Sequence, residues 1–340
     1  MTKPPTQLAE ELREQVGDRK SYLGVIDRLN KASVDKHWEA YADIPWDDPD
    51  FQVDPEDPRW VMSPQLDPLA RTEWYRSQPV EVQARIGLWR VATAMKIGLQ
   101  FENLLKRGLL NYAYWLPNGR PEFRYVYHET TEECHHGMMF QEFVNRTGLP
   151  IRGMPRSLTL LAQVAPWIPL ISTELFFVFV LGGEDPIDFV QRKSLKGGHV
   201  KHPLEQTIMK IHIAEEARHI SFARHYLRHR VPNLSGPQRR MLGVAAPLVL
   251  GLMARIMLCP PGPMVRHFGI PDEVVKEAYG SSEFKGQLRD CVAKIRDLMA
   301  ELGLITPVNK RIWAALGIWD KPRVRAAAGR AATGRAAGTA

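Results

Sequence analysis

Residues 210–219 read K-I-H-I-A-E-E-A-R-H, which sets His212, Glu216 and His219 four and three apart. On a helix such positions are neighbours on one face. Ile208, Ile220 and Ala223 continue the same stripe, so a carboxylate and two imidazoles point where the apolar residues point. A charge taken out of water neutralises or finds a partner, and a metal ion accepts a carboxylate and two imidazoles together. A second stretch, H-E-T-T-E-E-C-H-H-G-M-M-F at 128–140, again places a Glu three residues before a His. Two registers are open there, Glu132 with His135 or Glu133 with His136. The second continues turn by turn to Phe140 and Phe143, the first through Met139 to Glu142. The aromatic continuation selects Glu133 and His136 as the inward pair and leaves Glu132 and His135 as flanking groups.

Two such motifs make half a site. Di-iron and di-manganese carboxylate bundles take a Glu-x-x-His from each of two helices and one Glu from each of the other two. Upstream of the first motif, Leu88, Val91, Met95, Leu99, Glu102, Leu105 and Leu109 share a helical face on which Glu102 is the only acid. Upstream of the second, residues 157–181 hold a single charged residue, Glu174. Glu184 and Asp185 compete with it, but Gly182, Gly183 and Pro186 read as a turn, so Glu174 is the expected member. The chain thus carries a pseudo-repeat of two helix pairs. Nine of its eleven histidines lie between His128 and His229, of which His225 and His229 read as solvated helix residues.

The ordered set Glu102, Glu133-x-x-His136, Glu174 and Glu216-x-x-His219 resembles the ferritin-like di-iron oxygenases. The additional His212, in H-x-x-x-E-x-x-H, is similar to the AurF-type aryl-amine N-oxygenases, which carry a third histidine ligand on that last helix. The likeness covers roughly residues 80–235. It implies an all-α fold, a ferritin-like four-helix bundle core with additional N- and C-terminal helices. It also implies two Fe ions bound by Glu102, Glu133, His136, Glu174, His212, Glu216 and His219, with O2 as co-substrate. Bridging falls to Glu133 and Glu216, and the E-E-A-R-H run makes Glu215 and Arg218, with Glu132, the candidates to orient the imidazoles. Four carboxylates and three imidazoles are too many for one tetrahedral zinc ion.

The elements that must position these residues are helical. No run of alternating strands is convincing, and the helices are separated by Gly- or Pro-marked turns such as L-P-N-G-R-P at 116–121 and T-G-L-P at 147–150. Residues 1–80 read as a helix followed by a Pro- and Asp-rich wrapping segment around 43–60. Residues 81–320 form the di-iron helical domain, with apolar helices near 236–258 and 272–302 and a short one around Trp313. Residues 321–340 form a basic, Ala/Gly-rich tail expected to be disordered. That tail carries five basic residues and no acid, so the remainder of the chain holds +2 of the formal +7, and the high pI is mainly a tail property.

At 340 residues and 44% apolar composition the chain can bury one large core. Nothing in its body resembles a nucleic-acid module. Cys134, Cys259 and Cys291 have neither disulfide nor metal-ligand spacing, which fits a reducing cytoplasm, and no signal peptide opens the chain. Residues 157–181 reach spanning length, but Pro166, Pro169 and Glu174 argue against a lipid-facing span; residues 241–254 are too short. Buried core helices suit both, and no stable membrane insertion is expected.

The expected activity is O2-dependent oxidation of a small molecule, an aryl amine converted to its hydroxylamine or nitro product, with electrons from an unidentified donor. Phe140, Phe143, Phe176, Phe177 and Phe179 are candidates to wall the pocket. A di-iron hydroxylase or desaturase acting on an acyl or other apolar substrate is the alternative, and an iron-storage or metal-stabilised bundle the second. A homodimer is compatible with either enzyme reading.

Overall fold

The computed structural model describes residues 5–321, with side chains described from residue 20; the expected disordered tail lies almost wholly outside the described residues. Every regular element among them is helical. Six long helices carry the architecture: α1 (Pro5–Asp35), α2 (Val80–Tyr114), α3 (Pro121–Thr147), α4 (Thr173–Lys196), α5 (Pro203–Arg230) and α6 (Gly236–Leu258). Helices α2 to α5 form the central bundle, in which α2 packs on α3 and α4 on α5, and the two pairs meet through α2–α4 and α3–α5. Helix α1 covers α3 and α5, and α6 backs α4.

The bundle forms because each helix offers a wide apolar face at helical spacing. On α2 that face includes Leu88, Met95, Leu105 and Leu109, all buried. Phe176, Phe177, Val180 and Leu181 of α4 meet Phe222, Ala223 and Tyr226 of α5 in one core cluster. Each such side chain contributes about 1.5–3 kcal/mol on full burial. Helix starts follow local chemistry. Pro121 and Pro203 stand at the first turns of α3 and α5, where a missing N–H costs nothing. Ser172 caps α4 by accepting from the Leu175 N–H. Helix α3 stops at Gly148, whose φ of 63° is the left-handed conformation that glycine adopts freely.

Two expectations about the third bundle helix are corrected. Residues 157–181 are not one buried helix. Pro166 and Pro169 break the segment into a short helix (Arg156–Leu161), a 3₁₀ stretch (Ala162–Trp167) and a single turn (Ile168–Ile171), because proline removes a helical N–H and crowds the preceding turn. Leu160, Leu161, Val164, Trp167, Leu170 and Ile171 of this segment are exposed. Conversely, Gly182, Gly183 and Pro186 do not make a turn: α4 runs straight through them to Lys196. A Cβ at position 183 would stand 1.9 Å from the Phe101 ring, so glycine is what lets α2 and α4 come this close. The turn comes instead at Gly197–Gly198, with Gly198 at φ 62°.

The N-terminal wrapping segment is irregular, with 3₁₀ turns at Pro49–Phe51 and Pro58–Trp60. Trp60 lies so close to α2 that a Cβ at Gly87 would meet its carbonyl oxygen at 1.8 Å. The helix expected over 272–302 is divided into Asp272–Gly280, Ser282–Cys291 and Ala293–Glu301. The stretch Gly236–His267 is long and apolar enough to cross a membrane, and 56% of its most apolar window is buried against the body.

Candidate metal centre

The four bundle helices bring seven ionisable side chains to one level of the interior. Glu102 of α2, His136 of α3 and His212 of α5 form one group; Glu133 of α3, Glu184 of α4 and Glu216 and His219 of α5 form a second. Within each group the candidate ligand atoms lie within 4.8 Å of one another, and all seven residues are buried. The His136 and His212 rings stand 4.7 Å apart, and the His136 and His219 rings 6.0 Å.

Two carboxylates face both groups. Glu216 Oε1 lies 3.6 Å from His136 Nδ1, 3.4 Å from His212 Nε2 and 3.5 Å from His219 Nδ1. Glu133 reaches His136 Nδ1 at 3.7 Å with one oxygen and His219 Nδ1 at 2.9 Å with the other. The 2.9 Å approach is misaligned as a hydrogen bond, so both of its atoms remain without a hydrogen-bond partner.

Each imidazole is held from behind. His136 Nε2 donates to Glu215 Oε2 at 2.8 Å, and His219 Nε2 donates to Glu132 Oε2 at 2.8 Å. An ionised carboxylate only accepts, so these bonds fix a proton on Nε2 and turn Nδ1 toward the cluster, where the neutral ring presents a lone pair. The pairing is crossed, because each histidine is oriented by a glutamate from the other motif helix. Arg218 lies between them, 2.9 Å from Glu132 and 3.4 Å from Glu215. His212 is turned the other way: Nδ1 meets Gln191 Oε1 at 2.9 Å, and Nε2 faces Glu102 and Glu216.

The interior holds more acid than it can ionise. Burial, then the charge of Glu133, pushes the Glu102 carboxyl up to about 8. Burial, then Glu216 and Glu133, pushes Glu184 well above the ordinary range. Burial opposes charge on Glu133 as well, but His136 and His219 hold its carboxyl well below that range. Burial is outweighed at Glu132 too, where His219 and Arg218 bring the carboxyl down to about 2. Desolvation disfavours charged His136 and His219, yet the carboxylates around them raise both imidazoles well above their ordinary value. At His212 desolvation prevails, lowering it to about 4.

The donor set fits a pair of divalent cations. Glu102 Oε2, both oxygens of Glu133 and Glu184, Glu216 Oε2, and Nδ1 of His136 and His219 are buried atoms with no hydrogen-bond partner, a costly condition unless something else engages them. Four carboxylates would cancel the charge of two divalent ions, and three neutral imidazoles would complete a set of oxygen and nitrogen donors suited to iron or manganese.

Of the residues singled out from sequence, Glu102, Glu133, His136, His212, Glu216 and His219 come together here. Glu174 does not. Ten residues before Glu184 on α4, it sits in the first helical turn, 3.3 Å from Arg230 Nε. Glu184 takes the place expected of it, because α4 continues where a turn was read. His135 is turned outward to the Ala40 N–H. Sequence reasoning passed over Glu129, one turn before Glu133, whose two oxygens are buried without a partner and whose carboxyl burial raises to about 8. It also passed over Gln191 and Glu205. The only sequence signal for these three is a polar residue at helical spacing among apolar ones.

A cavity of about 200 Å³ opens against the cluster, reaching Glu102, Glu184, His212 and Glu216. Its walls are largely apolar and include Met95, Phe101, Phe140, Ile187, Val190 and Met257. Of the five phenylalanines expected to wall a pocket, Phe140 does so; Phe143, Phe176 and Phe177 belong to the core, and Phe179 packs against it.

The family model described as P-aminobenzoate N-oxygenase AurF matches residues 19–303. Uncharacterized proteins of Mycobacterium tuberculosis and Mycobacterium bovis are each 44% identical to this chain over 311 residues, covering 90% of both partners in the comparison. No solved structure matches.

Proposed function

We propose, for a chain that belongs to the P-aminobenzoate N-oxygenase AurF family, a family of oxygenases, that it is a di-iron oxygenase converting an aryl amine to its hydroxylamine or nitro product. The observation that carries this reading is the pair of buried, unpartnered ligand groups, with Glu133 and Glu216 between them, at the end of an apolar cavity. In this assignment Glu102, His136 and His212 would hold one ion, Glu184 and His219 the other, and Glu133 and Glu216 would bridge. When bound, two ferrous ions would supply electrons to dioxygen and deliver one of its oxygen atoms to the substrate nitrogen, the balance of electrons coming from an external reductant.

The rest is the work of this chain. Glu132 and Glu215 keep the His219 and His136 protons on Nε2, and Gln191 keeps the His212 proton on Nδ1, so each imidazole presents a lone pair inward. Arg218 offsets part of the charge of the two supporting glutamates. Phe101, Phe140 and Met95 line the cavity and would limit water where the substrate nitrogen would stand beside Glu184 and Glu216. Such preorganisation places the reacting atoms without further rearrangement.

The test is anaerobic reconstitution with ferrous iron, metal analysis and Mössbauer spectroscopy, then exposure to ¹⁸O₂ with a reductant and 4-ethylaniline. The expected result is two coupled irons per chain and labelled oxygen on the aniline nitrogen. The apolar walls also suit an acyl chain. Desaturation or hydroxylation of a fatty acyl substrate with anilines left intact would replace N-oxygenation by that chemistry. Ferrous oxidation that deposits mineral, with no substrate-dependent oxygen uptake, would mean storage.

A further inference from the structure

Glu205 has no part in the centre just described. It lies two turns before His212 on α5, is buried, and lines the same cavity. Positions 205, 209, 212 and 216 follow one helical face, and all four border the cavity. At 1.5 Å of rise per residue, Glu205 is about 10 Å from His212 along the helix axis. The cavity therefore runs beside α5 with the metal-ligating cluster at one end and a lone carboxyl at the other.

No hydrogen bond or ion pair engages that carboxyl among the described residues, and burial alone raises it, to about 8. The cavity's cations are committed elsewhere. Arg90 donates to Asp67 at 2.8 Å and to the carbonyls of Leu258 and Cys259. Arg59 pairs with Asp57 at 2.6 Å, His199 Nδ1 meets the Ser63 hydroxyl at 3.1 Å, and no lysine lines the walls. A buried carboxyl without a partner is expensive to keep, and the described residues supply neither a cation for Glu205 nor a free guanidinium for an incoming carboxylate.

We propose that Glu205 recognises the far end of the substrate, and that the substrate is an aryl amine bearing a second, protonated aliphatic amine in place of a carboxylate. The aryl ring would lie against Met95, Phe101 and Phe140, with its amino group at the cluster and the ammonium on Glu205. Above about pH 8, where Glu205 is ionised, an aminobenzoate would set a second anion beside it, and like charges disfavour each other. This assignment rests on the cavity being the oxygenation site.

The experiment is calorimetric titration, at about pH 8.5 so that Glu205 is ionised and the aliphatic amine still protonated, of the full-length, manganese-loaded protein with 4-(2-aminoethyl)aniline, 4-ethylaniline and p-aminobenzoate. The diamine is expected to bind at least about tenfold tighter than 4-ethylaniline, the usual worth of a charge-assisted pair, and p-aminobenzoate weakest. In Glu205→Gln, checked for its metal content, the diamine's preference should collapse to within about threefold, and Glu205→Asp should recover part of it. Retention of the preference in Glu205→Gln, or tightest wild-type binding by p-aminobenzoate, overturns the proposal. Turnover separates the two readings. Aniline N-oxygenation without the diamine preference leaves the oxygenase standing and removes the role of Glu205. Glu205-dependent diamine binding with no oxygen transferred to any aniline keeps the recognition role and removes the oxygenase.

Discussion

Replacing Glu205 by Gln should stabilise the protein, and the gain should grow with pH. Burial lifts the folded-state carboxyl from 4.5 to about 8, so between those values the folded chain holds a proton that the unfolded chain has released. Below the lower value both states are protonated and the carboxyl costs nothing. Above it the penalty grows by about 1.36 kcal/mol per pH unit and levels off near the folded value, at about 5 kcal/mol. Gln has the same shape and does not ionise. Glu102, Glu184, His212 and Glu216 of the cluster also border the cavity; of its other titratable groups Arg59 pairs with Asp57, Arg90 with Asp67, and His199 meets the Ser63 hydroxyl, and titrations common to wild type and variant cancel. With an unfolding entropy of about 2.1 cal/mol/K per residue, 5 kcal/mol corresponds to roughly 7 °C in a chain of this length. Thermal melts of both proteins from about pH 5 to about pH 8.5 should show the Glu205→Gln advantage rise from about 1 °C towards that value. A pH-independent difference, or a wild type that gains on the variant as pH rises, would refute the reasoning, because it would mean that Glu205 has an ionic partner or stands in water.

Glu184→Ala should reduce bound metal from two ions per chain to one or fewer, while Glu174→Ala should keep both and cost at most about 1 kcal/mol, the worth of its half-exposed pairing with Arg230; metal analysis of the two variants decides between these carboxylates. Glu132→Gln keeps the shape but weakens the hold on His219 Nε2, and metal affinity measured by competition with a chelator should fall about 10- to 100-fold. Removing metal from the reconstituted protein should lower its melting temperature, since protons must then stand in for cations among four carboxyls; an unchanged melt would argue against a metal there. Gly183→Ala drives a methyl into the Phe101 ring, which should cost about 1–3 kcal/mol and, by pushing Phe101 into the cavity, weaken 4-ethylaniline binding in the same calorimetric assay.

Periodicity alone indicated the inward faces. Glu133 and His136 were separable from Glu132 and His135 because only their own register continues into Phe140 and Phe143, both of which are buried. Glu102 stood out as the single acid on an apolar stripe, and His212 as an imidazole four residues before Glu216. The rest was not legible, for reasons that are physical. The Gly-Gly and Pro of residues 182–186 have turn propensity, but their backbone is packed between Phe101 on one side and Leu250 and Met253 on the other, and that packing keeps the helix going. Pro166 and Pro169 do break the segment before α4, so the stretch that looked like one apolar helix exposes Leu160, Val164 and Ile171 instead.

The sequence by itself determined that the chain is helical and that two Glu-x-x-His motifs, with His212 and Glu102, face inward, because 3.6-residue periodicity is a local property that survives in any window of the chain. Only the tertiary structure decided that Glu184 rather than Glu174 joins them, that Glu132 and Glu215 each orient the opposite helix's histidine, and that Glu205 is left alone at the end of the cavity. Those outcomes depend on which helix stands beside which and on the depth at which a side chain leaves water, quantities set by the packing of distant segments and written in no single stretch of residues.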